Sequence, residues 1–297
     1  MALSSSGQVS TSILDVGYES AGEVGAAPVI LMHGFPYDVR AFDAAATLLA
    51  DQGAHVLAPY LRGFGPTRFR DDTAMRSGQQ AALAQDLVDF MDALGIDSAV
   101  LAGYDWGGRA ACITAAVHPG RVRGLVTVDG YNVQDIAHAD EPTRPEWEQT
   151  YWYQYYFHSE RGRRGLDRNR DELCELLWRT WSPTWAAASA AFPASAPSLH
   201  NPDFVDVVIH SYRHRFGLVE GDPRYQSLED AIALQPPITV PTVVLQSGAD
   251  GIGGPSAVGD REYFTGAYEH RLLPSVGHNV PQEAPEAFAD AVASLLD

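Results

Sequence analysis

Asp105 stands where a carboxylate would be exposed at a sharp turn. It is the third residue of the run GYDWGG at positions 103–108, which follows an apolar run, Ala99–Ala102, and opens a helical pattern, Gly107–Val117. Small residues two positions before and after the aspartate permit a tight strand-to-helix turn, and the helix N-terminus stabilises negative charge. The pattern therefore predicts a nucleophilic carboxylate presented at the end of a strand.

Short apolar runs recur on both sides of this turn and predict buried parallel strands. They lie at Val29–Met32, His55–Ala58, Ala99–Ala102, Leu125–Val128, Thr242–Gln246 and Glu269–Leu273. Helical periodicity occupies four further segments, at Arg40–Asp51, Gln79–Leu94, Gly107–Val117 and Pro285–Leu296. This alternation predicts an α/β fold in which helices flank a mostly parallel sheet.

The alternation stops between residues 132 and 236, where the composition changes. This stretch holds five of the six tryptophans. A helical pattern runs through Leu173–Trp181, whereas the prolines of Pro193–Pro202 predict a loop. We predict a core of residues 1–132 and 236–297 and a helical cap of residues 133–235. An aromatic cap over the carboxyl ends of the strands would cover a ligand pocket and select the substrate.

Charge and composition exclude several classes of function. The 297 residues include 38 acidic and 20 basic side chains, a net charge of −18, which argues against nucleic acid and membrane partners. Only Cys112 and Cys174 are present, so neither a disulfide framework nor a thiolate zinc site is supported. The first residues lack a signal-peptide pattern, and the expectation is a reduced, cytoplasmic protein of no particular predicted oligomeric state.

Four motifs together resemble the α/β-hydrolase superfamily, in particular its epoxide hydrolase and dehalogenase branch, whose members carry aspartate where esterases carry serine. The motifs are HGFP at 33–36, RGFG at 62–65, GYDWGG at 103–108 and GHN at 277–279, each after a predicted strand. The resemblance spans nearly the whole chain. It implies an α/β-hydrolase fold with an inserted helical cap and a catalytic triad in the chain order nucleophile, acid, histidine.

The resemblance assigns the triad to Asp105, Asp250 and His278. Asp250 follows the strand Thr242–Gln246, and His278 follows the last strand. Asp129 is the alternative acid, since some dehalogenases use an acid after the corresponding earlier strand. The choice between Asp250 and Asp129 stays open at this point.

The HGFP motif resembles the oxyanion loop of the family. The backbone N–H groups of Phe35 and Trp106 would together hold a developing oxyanion. His33 would support this loop as a buried structural histidine.

Aspartate as nucleophile points to an alkylating substrate. A carboxylate has an unperturbed pKa near ~3.9, so it is ionised at neutral pH and attacks an sp³ carbon without a base. The resulting ester would then be hydrolysed by a water that the histidine activates. This chemistry suits an epoxide or a carbon–halogen bond and disfavours ordinary esters and amides.

Two tyrosines favour the epoxide. The run WYQYYF at 152–157 resembles the epoxide hydrolase lid motif, in which the tyrosine before glutamine is a ring-opening acid, and this carries over to Tyr153. The second such tyrosine matches Tyr212 in HSYR at 210–213. Dehalogenases differ, because the fluoroacetate enzymes carry arginine where Trp106 stands and the haloalkane enzymes carry asparagine where Phe35 stands.

Arg109 is shared with the haloacid branch. It would bind a substrate carboxylate, or else pair with a carboxylate on its own helix. The sequence as a whole predicts an epoxide hydrolase that adds water to an oxirane through an alkyl-aspartate ester and needs no cofactor or metal. The alternatives are a hydrolytic dehalogenase with the same triad and, from another class, a non-catalytic ligand receptor on this fold.

Overall fold

The computed structural model describes residue 3, residues 5–253 and residues 259–296. Residues 1, 2, 4, 254–258 and 297, which belong to the predicted core, lie outside this description. Within the described ranges, no helix is both long enough and apolar enough to cross a membrane.

The described residues form one nine-stranded sheet. Its strands are β1 (Ser5–Ser10), β2 (Leu14–Ala21), β3 (Ala27–Met32), β4 (Ala54–Pro59), β5 (Arg68–Phe69), β6 (Ala99–Gly103), β7 (Val122–Val128), β8 (Thr242–Ser247) and β9 (Tyr268–Leu273). The strand order is β1-β2-β4-β3-β6-β7-β8-β9, and β5 pairs with β2. In this order, all neighbouring strands from β4 through β3 to β9 are parallel. Strand β2 pairs antiparallel with β1, β4 and β5.

The predicted fold class is confirmed, and each of the six predicted apolar runs lies within one of the parallel strands β3, β4, β6, β7, β8 and β9. The runs in β3, β4, β6, β7 and β8 were recognisable because strands buried on both faces are mostly apolar, whereas β9 is a partly exposed edge strand of sequence YEHRLL. The antiparallel strands β1, β2 and β5 were not predicted. In β1 every position is exposed or half-buried and the sequence SSGQVS is polar, so no apolar pattern marks it.

Helices flank the sheet at the predicted places. They are α1 (Asp43–Asp51), α2 (Gln80–Ala93), α3 (Asp105–Val117), α11 (Val280–Glu283) and α12 (Pro285–Ala293). A short 3₁₀ helix, Val39–Phe42, precedes α1 and accounts for the start of the predicted helix Arg40–Asp51.

The chain between β7 and β8 is helical. It contains α4 (Pro145–Thr150), α5 (Trp152–His158), α6 (Glu160–Arg168), α7 (Arg170–Trp181), α8 (Ala188–Leu199), α9 (Phe204–His214) and α10 (Gln226–Ile232). The predicted helix Leu173–Trp181 lies within α7.

The loop predicted at Pro193–Pro202 is wrong for most of its length, because α8 continues to Leu199 through Pro193 and Pro197. Each proline removes one backbone donor and disfavours a helix interior. Tertiary contacts override this preference. The hydroxyls of Ser195 and Ser198 donate to the buried carboxylate of Asp38 at 2.6 and 2.5 Å, which attaches α8 to the loop after β3.

The RGFG motif has a structural role. Arg62 is buried and donates to both carboxylate oxygens of Asp86 at 2.6 Å, to the Ser77 carbonyl at 2.8 Å and to the Tyr225 hydroxyl at 3.0 Å. This arginine therefore joins the loop after β4 to α2 and to the chain that precedes α10.

Replacing Arg62 with methionine is expected to lower the free energy of unfolding by about 3–5 kcal/mol, because Asp86 would remain buried without its partner. Urea unfolding followed by circular dichroism measures this loss. Arg179→Met, at an exposed position of α7, is the control and should change the stability little. A loss below about 1 kcal/mol for Arg62→Met would contradict a buried ion pair that depends on both members.

Candidate active site

The turn between β6 and α3 presents the Asp105 side chain at the carboxyl end of the sheet. Asp105 has a backbone φ of 51°, in the left-handed region that residues other than glycine rarely adopt. A Cβ on Gly107 would lie 2.0 Å from the Met32 carbonyl oxygen, and one on Gly103 would lie 2.6 Å from the Gly107 carbonyl carbon. The glycines let α3 approach β3 and β6 closely enough to hold this strained turn.

The loop after β3 reaches the Asp105 carboxylate. The Phe35 N–H donates to Asp105 Oδ1 at 2.7 Å, and the Trp106 N–H also donates to this carboxylate. A Cβ on Gly34 would lie 2.3 Å from the same Oδ1, so only glycine fits there. The structure thus brings together Asp105 and the two N–H donors that the sequence named.

His33 makes hydrogen bonds that stabilise this loop. Its Nδ1 lies 3.0 Å from the Gly34 carbonyl oxygen, and its Nε2 accepts from the Leu61 N–H at 3.1 Å. Burial lowers the pKa of His33 to about 4, so the ring is neutral at physiological pH, with Nδ1 as the donor. The contacts link the loops after β3 and β4 and leave the ring no catalytic contact.

His278 lies between two carboxylates. Its Nδ1 lies 2.8 Å from Asp250 Oδ2, and its Nε2 lies 3.7 Å from Asp105 Oδ2. The buried Nε2 has no hydrogen-bond partner among the described residues. The predicted triad members are therefore brought together, and Nε2 is free to bond a water beside Asp105.

The charges of this group shift two pKa values in opposite directions. Burial alone would raise the pKa of Asp105, but the neighbouring His278, the Arg109 charge and the Trp106 N–H together hold it below its usual value. Burial alone would lower the pKa of His278, but the charges of Asp250 and Asp105 hold it well above its usual value. Asp105 is thus ionised and His278 protonated before any reaction.

Asp129, the alternative acid, lies beside this pair. Its Oδ1 accepts from the Ser247 N–H at 2.7 Å, and burial and then the Asp250 charge raise its pKa. Atoms of Asp129, Asp250 and His278 that could bind a metal ion lie within 4.8 Å of one another, the one such group in the described ranges. Since His278 Nδ1 is already bonded to Asp250, the geometry suits a histidine oriented by a carboxylate and favours Asp250 as the acid.

Replacing Asp250 with asparagine is expected to slow hydrolysis of the enzyme ester by about 10³–10⁴-fold, because His278 loses the carboxylate that fixes its tautomer and stabilises imidazolium. Asp129→Asn is the matched control and should change this rate little, since Asp129 makes its described hydrogen bond to a backbone N–H. Single-turnover measurement of ester decay compares the two variants. The reverse order of effects would assign the acid to Asp129.

A backbone carbonyl that the sequence analysis did not identify holds the Asp250 loop and the His278 loop in position. The Trp181 carbonyl oxygen, at the end of α7, accepts from the Gly251 N–H at 2.9 Å and from the His278 N–H at 3.2 Å. It holds the Asp250 loop and the His278 loop in one place. A backbone oxygen leaves no signal in the sequence.

The two predicted tyrosines, Tyr153 and Tyr212, lie next to each other. The rings of Tyr153 and Tyr212 are 5.4 Å apart, and both are buried. The Gln154 amide donates to the Tyr153 hydroxyl at 3.1 Å. Burial raises the pKa of both tyrosines, so both are protonated at neutral pH.

A cavity of about 790 Å³ connects these groups to the surface. Its wall includes Asp105, Tyr153 and His278, and it includes both Arg109 and Arg215. Arg109 lines the cavity, and its role as a substrate-binding residue stays a prediction. Arg215 was not predicted, because one arginine after α9 has no distinguishing pattern.

The geometry agrees with a comparison to known protein families. The alpha/beta hydrolase fold family matches residues 27–285. The chain belongs to the α/β-hydrolase fold family. The resemblance inferred from the four sequence motifs is therefore confirmed.

Relatives within this α/β-hydrolase family carry a common name. Epoxide hydrolase A from Mycobacterium tuberculosis is 27% identical over 304 residues, covering 93% of this chain and 91% of the relative. An epoxide hydrolase from Caballeronia sordidicola is 26% identical, covering 92% and 89%. A crystal structure of a candidate epoxide hydrolase from Klebsiella pneumoniae has a TM-score of 0.97 and 43% identity, covering 99% and 98%. This chain is a hydrolase, as predicted.

Proposed function

We propose that this protein is an epoxide hydrolase that converts an oxirane to a vicinal diol through an alkyl ester of Asp105. The observation that carries the proposal is the position of Tyr153, which lies on the wall of the same cavity as Asp105 and His278 and whose ring packs against that of Tyr212. An aspartate nucleophile suits an electrophilic sp³ carbon, and a protonated tyrosine suits a basic leaving oxygen. The relatives named epoxide hydrolases support this assignment.

The first step forms the ester. Asp105 Oδ2 attacks an oxirane carbon, because Oδ1 is held by the Phe35 N–H. One carbon–oxygen bond of the ring breaks, and the departing alkoxide takes the hydroxyl proton of a tyrosine. Tyr153 is the nearer donor, since it lies on the cavity wall. The Gln154 amide, which donates to its oxygen, stabilises the tyrosinate that remains.

The second step hydrolyses the ester. Esterification removes the Asp105 charge, one of the two charges that raise the pKa of His278, so the imidazolium passes its proton through solvent to the tyrosinate. Neutral His278 then takes a proton from water, whose oxygen attacks the Asp105 carbonyl carbon. Negative charge develops on Oδ1, which the N–H groups of Phe35 and Trp106 stabilise. The carbon–oxygen bond to the product breaks, and the departing oxygen takes the second proton of the attacking water, which restores the Asp105 carboxylate and leaves His278 protonated as at the start.

In this proposal the chain divides into a core, residues 1–132 and 236–297, and a cap, residues 133–235. The cap supplies the two tyrosines and the core supplies the triad. Besides α8, α7 joins the two parts, because the Trp178 indole N–H donates to the Pro36 carbonyl at 2.9 Å. A reduced, cytoplasmic setting belongs to the same proposal, supported by the buried free thiols of Cys112 and Cys174.

The dehalogenase alternative requires a donor for the halide, and Trp106 is the candidate beside the nucleophile. Its indole N–H is buried without a hydrogen-bond partner, but Trp106 is absent from the described residues that line the cavity. The indole packs instead against Phe35 and Phe64, with ring centroids 5.7 and 6.1 Å away. The epoxide is favoured by Tyr153, which lies on the cavity wall where a proton donor for the opening ring is required.

The test incubates the protein with a panel of epoxides and haloacids and measures diol and halide together. Diol without halide is the expected result. Asp105→Asn is the control and should form neither product. Halide without diol would make the protein a dehalogenase, and neither product would support the non-catalytic receptor.

A further inference from the structure

We propose that Arg109 and Arg215 form a subsite for a carboxylate carried by the substrate, so that the preferred epoxide is an organic anion. This inference rests on the proposed epoxide hydrolase function and names the substrate class of the same cavity. Its basis is a pair of cationic side chains that face the cavity and lack carboxylate partners.

Arg109 supplies one half of the subsite. It lies on α3, one turn after Asp105, lines the cavity, and is only 8% exposed. Its Nε is buried without a hydrogen-bond partner among the described residues. The Asp105 charge acts on Arg109, but the described ion pairs include none between Arg109 and a carboxylate.

Arg215 supplies the other half from the end of α9. It lines the same cavity, and its Nε and Nη2 are buried without partners in the described part of the chain. Its Nη1 reaches only the Gln154 side-chain oxygen, at 3.4 Å. The guanidinium lies over the Tyr212 ring, 4.3 Å from the centroid, which fixes its plane.

The other buried arginine among the described residues, Arg62, has a carboxylate partner in Asp86. Arg109 has instead a second cation nearby. Burial first and then the Arg215 charge lower the pKa of Arg109 to about 10. An anion between the two guanidiniums would remove this repulsion and satisfy their free N–H groups, and a carboxylate matches the planar fork of arginine.

The placement also limits the substrate. Because Arg109 is one helical turn from Asp105, the carboxylate must lie within a few bonds of the oxirane carbon that Asp105 attacks. The cavity volume of about 790 Å³ leaves room for a further substituent. Among the acidic residues that line the cavity, Asp135 and Asp140 are exposed, whereas Asp105, Asp129 and Asp250 belong to the buried site. Arg109 is buried as well, and a charge pair with a substrate carboxylate is stronger there than in solvent.

A second role for the same arginines makes a different prediction. Arg215 bonds Gln154, which bonds the Tyr153 hydroxyl, and both cations lie near the tyrosines. If the arginines acted only by positioning and polarising the tyrosines, their loss would lower kcat for charged and neutral epoxides alike. A carboxylate subsite instead raises KM for the charged epoxide alone.

The activity test compares 3-phenylglycidate with its neutral, nearly isosteric amide. We expect wild-type kcat/KM to be at least ~10-fold higher for the carboxylate, a typical effect of a charge-assisted hydrogen bond. Arg109→Gln and Arg215→Gln should each lower this ratio at least ~10-fold through KM, whereas Arg215→Lys, which retains a charge, should lower it less. Exposed Arg179→Gln should leave the ratio unchanged. An equal loss of kcat on both substrates would overturn the subsite.

A binding test does not depend on turnover. Titration calorimetry with unreactive 3-phenylpropionate and 3-phenylpropanamide should show tighter binding of the carboxylate to wild type, with the difference lost in Arg109→Gln and Arg215→Gln. Equal binding of both compounds to wild type would overturn the subsite even if epoxides are hydrolysed. Preferential carboxylate binding without diol formation from any epoxide would overturn the proposed function and keep the subsite. Halide release from 2-chloropropionate would then identify a haloacid as the source of the carboxylate.

Discussion

His278→Gln protein is expected to stop at the covalent ester. Asp105 retains its charge and its Phe35 N–H contact and still opens the oxirane, but no base activates the water that must attack the ester. Loss of a positioned base costs about 10²–10⁴-fold in rate, so the ester should accumulate on mixing with an epoxide that wild type hydrolyses. Intact-mass spectrometry should show a mass increase equal to that of the epoxide, and peptide mapping should place it on Asp105.

Two variants control this experiment. Asp105→Asn should show no adduct, because the nucleophile is absent. His270→Gln, which removes a histidine of β9 bonded to Gln246, should turn over like wild type. Absence of an adduct in His278→Gln, with a substrate that wild type consumes, would rule out the covalent mechanism.

Tyr153→Phe and Tyr212→Phe are each expected to slow ester formation by about 100-fold or more, the usual contribution of a positioned acid. The alkoxide expelled from an oxirane is strongly basic, and a buried pocket makes it costly unless a proton arrives as it forms. The double variant should be nearly inactive. Rapid-quench measurement of the ester in a His278→Gln background isolates this step from hydrolysis.

Tyr156→Phe is the matched control, since Tyr156 lies on the same helix as Tyr153 but its ring packs against Trp152 and Phe157. Its rate of ester formation should equal that of the unmodified background. Unchanged rates in the Tyr153 and Tyr212 variants, with halide release from haloacids, would favour a dehalogenase. A halide departs without a proton, so only that chemistry tolerates the loss of both hydroxyls.

The contrast between β6 and α8 shows how far local patterns predict this fold. The strand β6 and the turn after it were predicted because a buried parallel strand is continuously apolar and a strained turn requires glycine beside it. The helix α8 was predicted as a loop because Pro193 and Pro197 oppose a helix locally. The bonds from Ser195 and Ser198 to Asp38 oppose that tendency, and they join residues more than 150 positions apart.

The sequence by itself predicted the parallel strands, the helical insertion and Asp105, His278, Tyr153 and Tyr212 as candidate site residues. Each has a local signature, either an apolar period or a motif of adjacent residues. Only the tertiary structure decided that Asp250 rather than Asp129 bonds His278, since both follow strands that end at the same edge of the sheet. Only the tertiary structure placed Arg215 beside Arg109. These outcomes depend on distances between residues far apart in the chain, which residue types and spacing do not encode.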